Sequence, residues 1–271
     1  FAQFNRNKKS VTLDLYTDEG KARLAELLAS ADVLVENFRP GVLDKMGFDE
    51  ARLKELNPEL IVGSVNGYGS TGPYVDRPSF DFIAQAMSGF MSLTGEIDGE
   101  PMRAGPPIAD LIAGLYCAFG VVTAIAARNR TGEGQYVEAS LNNSLISLMA
   151  FLSAEYFATG KPPARSGNNH AIVAPYGMFK AKDGAIAVAP SNETYAIRFL
   201  DAIGLGELMD DERFCTNADR MRNRSELLVI IDAATEKETV DHWIETINAA
   251  GCPCGRVMTL DEVFDDPQVR A

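Results

Sequence analysis

Seventeen consecutive residues, Leu111 to Ala127, carry no charge. Such a run must be covered by other apolar groups, and at this length it sits at the short limit of a membrane span. It is rich in Ala and Gly, an acidic residue precedes it, and Arg128 and Arg130 follow it. A core helix fits this pattern better than a span, so no membrane partner is expected. The chain approaches the run through Arg103-Ala104-Gly105-Pro106-Pro107-Ile108-Ala109, which reads as a rigid turn. Asp110 stands at the entrance. A carboxylate at a helix start meets free N–H groups and the positive end of the helix dipole. On position alone Asp110 reads first as a helix cap and second as a nucleophile kept ionised by its surroundings.

Hydrophobic periodicity organises the rest. Residues 11–15 alternate apolar and polar, a strand pattern. Thr17-Asp18-Glu19-Gly20 opens a helix to about Ser30, with Leu24, Leu27 and Leu28 on one face. Short buried strands are expected at 33–35 and 60–65, and helices from Pro40 to Gly47 and from Asp49 to Leu56. Residues 67–80 form a Gly- and Pro-rich loop, followed by a helix over about 81–91. After the long apolar helix come a strand at 136–139 and a helix over 141–159. Strands alternating with helices give an α/β domain with a mainly parallel sheet, whose ligands collect at the carboxyl ends of the strands. The Pro-rich stretch 161–167 breaks the pattern, and the expected division is a large domain over 1–160, a linker over 161–171, and a small α+β domain over 172–255. In the small domain, Lys182-Asp183-Gly184 turns a hairpin between 176–181 and 185–189, followed by helices at about 193–203, 223–235 and 239–249. Residues 256–271 are expected to lead back toward the large domain. Both ends of the chain read as cut from a longer protein.

The formal net charge of −13 argues against nucleic acid as a partner, since phosphate backbones need a basic face. It leaves room for a small phosphate-bearing ligand, which needs only a few local cations. Lys8, Lys9, Arg39, Lys45 and Arg77 are such cations near loop or strand ends, although each alone is an ordinary surface charge. Cys117, Cys215, Cys252 and Cys254 do not form a disulfide framework. Cys252-Pro253-Cys254 has no histidine at ligand spacing, so no metal is expected, and reduced thiols suit a cytoplasmic protein. No signal peptide is recognised.

Gly67-Tyr68-Gly69-Ser70-Thr71-Gly72 has dinucleotide-fingerprint spacing, but Pro73 follows at once and no helix opens to receive a pyrophosphate. Asn37, Phe38 and Arg39 after a strand offer an amide, a flat apolar face and a cation, a set suited to a nucleotide, although on its own the segment reads first as an ordinary strand-to-helix loop. Asp81, at a helix start, is a second candidate carboxylate. His170 lies in the interdomain loop, where it is a candidate to face substrate.

Together these segments resemble the family III CoA-transferases, a family that also includes the α-methylacyl-CoA racemases. The resemblance runs through Asn5-Arg6-Asn7-Lys8-Lys9-Ser10, Glu36-Asn37-Phe38-Arg39-Pro40-Gly41, Gly67-Tyr68-Gly69, Asp110, Thr131-Gly132-Glu133-Gly134-Gln135, Ala174-Pro175-Tyr176-Gly177 and Asp183-Gly184, essentially the whole chain. It implies a Rossmann-like large domain, a small domain, and two chains interlocked as a homodimer. It implies Asp110 as the nucleophile that attacks an acyl-CoA, with Asp81 as a second catalytic carboxylate where the formyl-CoA branch has glutamate. It places CoA along Leu13, Asp14, Leu15, Tyr16, Asn37, Phe38, Arg39, Lys45, Arg77, Ser79 and Phe80. CoA enters as substrate, and no permanently bound cofactor is implied. The racemase branch has a proton-transferring histidine at the position of Phe80, a departure that points to transfer of CoA to a free carboxylic acid. An α-methylacyl-CoA racemase and an inactive CoA-binding homologue are the alternatives.

Overall fold

Three apolar strands pair in parallel at the centre of the first half of the chain: β1 (Val33–Glu36), β2 (Ile61–Asn66) and β3 (Tyr136–Ser140). The computed structural model describes residues 1–271. The sheet order is β1-β2-β3, with Val33 opposite Ile61 and Val62 opposite Tyr136. Five of the six residues of β2 are buried, which explains its continuous apolar reading. The chain divides into two units, residues 1–95 with 101–163, and residues 96–100 with 164–271.

In the first unit, α1 (Asp18–Leu28), α2 (Val42–Lys45) and α3 (Glu50–Leu56) connect the strands. Thr17 and Asp49 cap α1 and α3 by accepting from the Gly20 and Arg52 N–H groups. Leu28, Phe48, Leu53, Leu60 and Val62 form a core between these helices and the sheet. Then follow α4 (Asp81–Met87), α5 (Phe90–Leu93), α6 (Ile108–Thr131), α7 (Leu141–Leu148) and α8 (Ala150–Thr159). A second core, Ala84, Ala109, Ala113, Leu141 and Leu145, joins α4, α6 and α7.

The long apolar helix is α6. It buries only one stripe: Ala109, Ala113, Cys117 and Ala124. Small residues there let it lie close to the sheet. A Cβ on Gly120 would come within 2.5 Å of Val137 Cγ1, and one on Gly63 within 3.0 Å of Cys117 Sγ. Arg128 anchors the far end, its Nη1 donating to the Asp32 and Glu59 carbonyls and its Nη2 to Asp32 Oδ1. The opposite face, Leu111, Leu115, Phe119 and Val122, is exposed. A core helix covered all round is therefore not what this chain alone builds. By length and composition α6 is the one helix apolar enough to cross a membrane.

Three other expectations are corrected. Residues 11–15 form no strand. The Asp14 carbonyl accepts from the Thr17 N–H and hydroxyl, and Asp14 Oδ1 accepts from the Tyr16 N–H. This local turn outcompetes the alternating pattern and leads the chain into α1. The helix expected over 81–91 ends at Met87, and Gly89 at φ 89° starts α5. The helix expected over 141–159 is broken at Ala150, at φ 43°.

The second unit carries the hairpin β4 (Gly177–Ala181) and β5 (Gly184–Val188), with β6 (Cys254–Arg256) added antiparallel to β5. Asp183, in the hairpin loop, accepts from the Val240 N–H. Around the sheet lie α9 (Glu193–Ala202), a 3-10 turn (Gly206–Asp210), α10 (Asn217–Arg222), α11 (Arg224–Thr235) and α12 (Val240–Ala249). The last helices, α13 (Leu260–Asp265) and α14 (Pro267–Arg270), are short. Phe179, Ile186, Phe199, Phe214, Ile231, Trp243 and Ile247 are the centre of this core. The strand β6 and the 3-10 turn had no sequence signal. Three and five residues are too few for a period to show.

Candidate active site

The carboxyl ends of β1 and β2 open on a cleft of about 750 Å³ within the first unit. Asn37, Phe38 and Arg39 reach it from the end of β1, and Asn66, Gly67 and Tyr68 from the end of β2. Arg77, Pro78, Ser79 and Phe80 line it ahead of α4, and Asp110 and Gly114 present the first turns of α6. Phe4, Lys8 and Leu141 also line it. Thus Asn37, Phe38, Arg39, Arg77, Ser79, Phe80 and Asp110, separated in sequence, share one cavity.

Local hydrogen bonds explain these placements. Glu36 Oε2 accepts from the Phe38 N–H at 2.8 Å and turns the chain after β1. Asn66 Oδ1 accepts from the Gly69 N–H at 2.6 Å, while Asn66 Nδ2 donates to Glu138 Oε1 at 2.8 Å. The other oxygen of Glu138 accepts from the Ser70 hydroxyl. The Gly-rich loop is thus held by its own neighbours, and no helix follows Gly72. The Arg77 guanidinium lies 3.7 Å from the centre of the Tyr74 ring, and Tyr74 packs edge-on to Tyr68. Lys8, Arg39 and Arg77 make the cleft locally cationic in an acidic protein.

Asp110 is the third residue of α6, and the N-cap position belongs to Pro107. The capping role expected for its carboxylate is not found. Asp81 Oδ1 instead accepts from the Ala109 N–H at 2.8 Å, satisfying an α6 donor from another helix. The Asp110 carboxylate accepts no hydrogen bond. The residue is exposed at the cleft, yet partial burial of its carboxyl raises its pKa above the usual carboxylate value, and the charge of Asp81 raises it further. Position near a helix start does not make this carboxylate unusually acidic.

Leu13, Asp14, Leu15, Tyr16 and Lys45 do not line the cleft. Tyr16 is almost fully exposed beside the Asp14 turn, and Lys45 ends α2 on the surface. Asp81 does not line the cleft either, and its carboxylate is taken up by the Ala109 N–H and Gln85. Cys252 and Cys254 have thiol pKa values pushed up to about 11, chiefly by burial, which keeps them as thiols at neutral pH. His170 packs against Tyr176 in the second unit. Sequence reasoning missed Gln85, which is fully buried and bonded to Asp81. Its only sequence signal was the four-residue spacing from Asp81 on one helix face.

CoA-transferase family III matches this sequence over residues 1–271. The chain belongs to that family. It is 39% identical over 98% of its length to a succinate–glutarate CoA-transferase from Agrobacterium fabrum, and 39% identical over all of its length to an acetyl-CoA:oxalate CoA-transferase from Acetobacter aceti. It spans 67% and 70% of those two relatives. Among solved structures, a CAIB/BAIF family protein from Brucella suis superposes with a TM-score of 0.86 at 40% identity, over 98% of this chain and 70% of that one. This family III CoA-transferase is therefore an enzyme of CoA transfer between an acyl-CoA and a carboxylic acid.

Proposed function

We propose that Asp110 is the nucleophile of this transfer and that the cleft after β1 and β2 receives acyl-CoA. The supporting observation is one carboxylate, unbonded and made more basic by its surroundings, on the wall of a cleft that also holds Phe38, Arg39 and Arg77. Arg39, Arg77 and Lys8 supply cations for the CoA phosphates, and Phe38 supplies a face for an apolar or ring group.

The steps balance without any added redox agent. An Asp110 oxygen attacks the thioester carbonyl, the C–S bond breaks, and CoA leaves as thiolate from a mixed anhydride. The thiolate attacks the Asp110 carbonyl and expels the donor acid as its carboxylate, leaving an aspartyl-CoA thioester. The acceptor carboxylate attacks that thioester and releases thiolate again. The thiolate takes the new acyl group, and Asp110 returns to carboxylate. Phe80, exposed at the cleft, carries no group able to move a proton, which favours transfer over racemisation.

Dicarboxylates are the proposed acids, with succinyl-CoA as donor, in line with the names of the related enzymes. The parallel-sheet unit is read as part of a Rossmann-like large domain. Two copies are read as an interlocked homodimer in the cytoplasm, the exposed Leu111-Leu115-Phe119-Val122 face of α6 being covered by the second copy. The test is incubation of the full-length protein with succinyl-CoA and a panel of acids, with trapping by hydroxylamine or borohydride and mass spectrometry. A label on Asp110 is expected. A label elsewhere, or turnover retained in Asp110→Ala, overturns the assignment.

A further inference from the structure

Gln85 is a polar side chain with no exposed surface, and none of the steps above uses it. It lies one turn into α4. Its Nε2 donates to Asp81 Oδ2 at 2.7 Å, and its Oε1 accepts from the Ala104 N–H at 2.8 Å. The amide cannot be reversed, because the Ala104 N–H requires an oxygen. That requirement turns the NH₂ group to Asp81. With one Asp81 oxygen held there, the other meets the Ala109 N–H, one residue before Asp110. The stretch 104–109, which brings Asp110 to the cleft, is thus fastened at both ends by two side chains of α4.

We propose that Gln85 is a positioning residue for the nucleophile. It aims Asp81 at the Ala109 N–H and so fixes where the Asp110 carboxylate stands. This inference rests on the reading of Asp110 as nucleophile. A neutral amide is what the place demands. An aliphatic side chain would leave the Ala104 N–H and an Asp81 oxygen unpaired. A carboxylate would meet Asp81 charge to charge unless the pair held a proton between them. The charged and titratable groups on the surrounding elements are Asp81 on α4, Asp110, Tyr116 and Cys117 on α6, Arg128 and Arg130 in the last turn of α6, and Arg103 on the approach, whose guanidinium donates to the Ala104 and Gly105 carbonyls. The helices α5 and α7, which also pack on α4, carry no ionisable side chain.

The experiment is single-turnover formation of the Asp110 thioester from succinyl-CoA in the full-length protein, with CoA affinity and melting temperature measured alongside. In Gln85→Leu the thioester is expected to form roughly 10- to 100-fold more slowly, the scale of a displacement of about 1 Å in a reacting group, with CoA affinity nearly unchanged. In Gln85→Glu the rate relative to wild type should fall as pH rises. The protonated glutamic acid can still donate to Asp81, and the doubly ionised pair cannot. A structural role alone would give no such titration. Thioester formation at the wild-type rate in Gln85→Leu, or a pH-independent rate ratio in Gln85→Glu, overturns the proposal while leaving Asp110 as nucleophile. A wild-type thioester on a residue other than Asp110 overturns both. Should Gln85→Leu fail to fold, the Gln85→Glu profile decides.

Discussion

Gly67→Ala places a methyl group where the wall of the cleft has no room for one. A Cβ at residue 67 would lie 2.5 Å from Ser79 Cβ, 3.3 Å from its Oγ and 3.7 Å from its Cα. Carbon atoms in contact normally sit about 3.5–4.0 Å apart, so the two segments must separate by about 1 Å. The Gly67 side is the stiffer one. It continues from β2, and its carbonyl accepts from the Asn142 N–H at the start of α7. The displacement therefore falls on Ser79, between Arg77 and Phe80 in the cleft wall. Overpacking of this kind costs about 1–3 kcal/mol. Were 1–2 kcal/mol of it to fall on the bound state, CoA affinity would drop by roughly 5- to 30-fold. The clash is with a Cβ, so Ser79→Gly should relieve it. Ser79→Gly alone costs at most about 1 kcal/mol of backbone freedom. Gly67→Ala/Ser79→Gly should bind CoA more tightly than Gly67→Ala does, with a coupling of about 1 kcal/mol or more. Titration calorimetry on the four proteins measures the cycle. The reasoning is refuted by Gly67→Ala binding CoA as wild type does, or by a double variant no better than Gly67→Ala.

Two further outcomes concern stability. Arg220 is 1% exposed and donates to the Ala174 carbonyl at 2.7 Å, the Phe214 carbonyl at 2.9 Å and both oxygens of Glu193. Glu193 is half-exposed and can rehydrate, so Arg220→Met should lose about 2–5 kcal/mol, mostly from two stranded carbonyls, read as a lowered urea midpoint; a midpoint equal to wild type contradicts this. For Asp110, burial and the Asp81 charge raise the folded pKa, so the folded state holds that proton more tightly than the unfolded chain. The stabilisation is fully present below the unfolded carboxylate pKa and is lost as pH rises through the folded pKa. Asp110→Asn stays neutral and should gain melting temperature over wild type across that rise, with no gain below it; a difference constant with pH counts against the placement.

The legible parts of the fold were those with a period or a strong local signal. The run 111–127 carries helix period and length, and β2 is apolar because it is buried between neighbours. The Lys182–Asp183 hairpin loop follows from its turn residues. Residues 11–15 misled because alternation says nothing of Asp14, whose side chain and carbonyl make a turn of their own. Which face of α6 this chain itself covers was not legible for a related reason. Hydropathy does not distinguish Ala and Gly, which allow close approach to the sheet, from Leu115 and Phe119, which stand outward. In the site, segments following strands were legible because a parallel sheet gathers its strand ends. The partner that holds each segment was not.

Asp110 carries this difference furthest. In sequence, a carboxylate at a helix start is torn between cap and nucleophile, because either role asks for the same residue in the same place. The fold gives the first of these roles to another residue, and the second is the one proposed above for Asp110. Asp81, 28 residues away, takes the Ala109 N–H, and Gln85 holds Asp81 to that duty. Asp110 is then left without a hydrogen bond that would stabilise its charge, and its pKa rises instead of falling. A carboxylate that binds a proton more tightly also offers a more basic oxygen to a thioester carbonyl, provided the pH keeps it ionised. Delegating the cap to α4 thus satisfies the Ala109 N–H at the start of α6 and leaves the Asp110 carboxylate unbonded, as the proposed nucleophile requires.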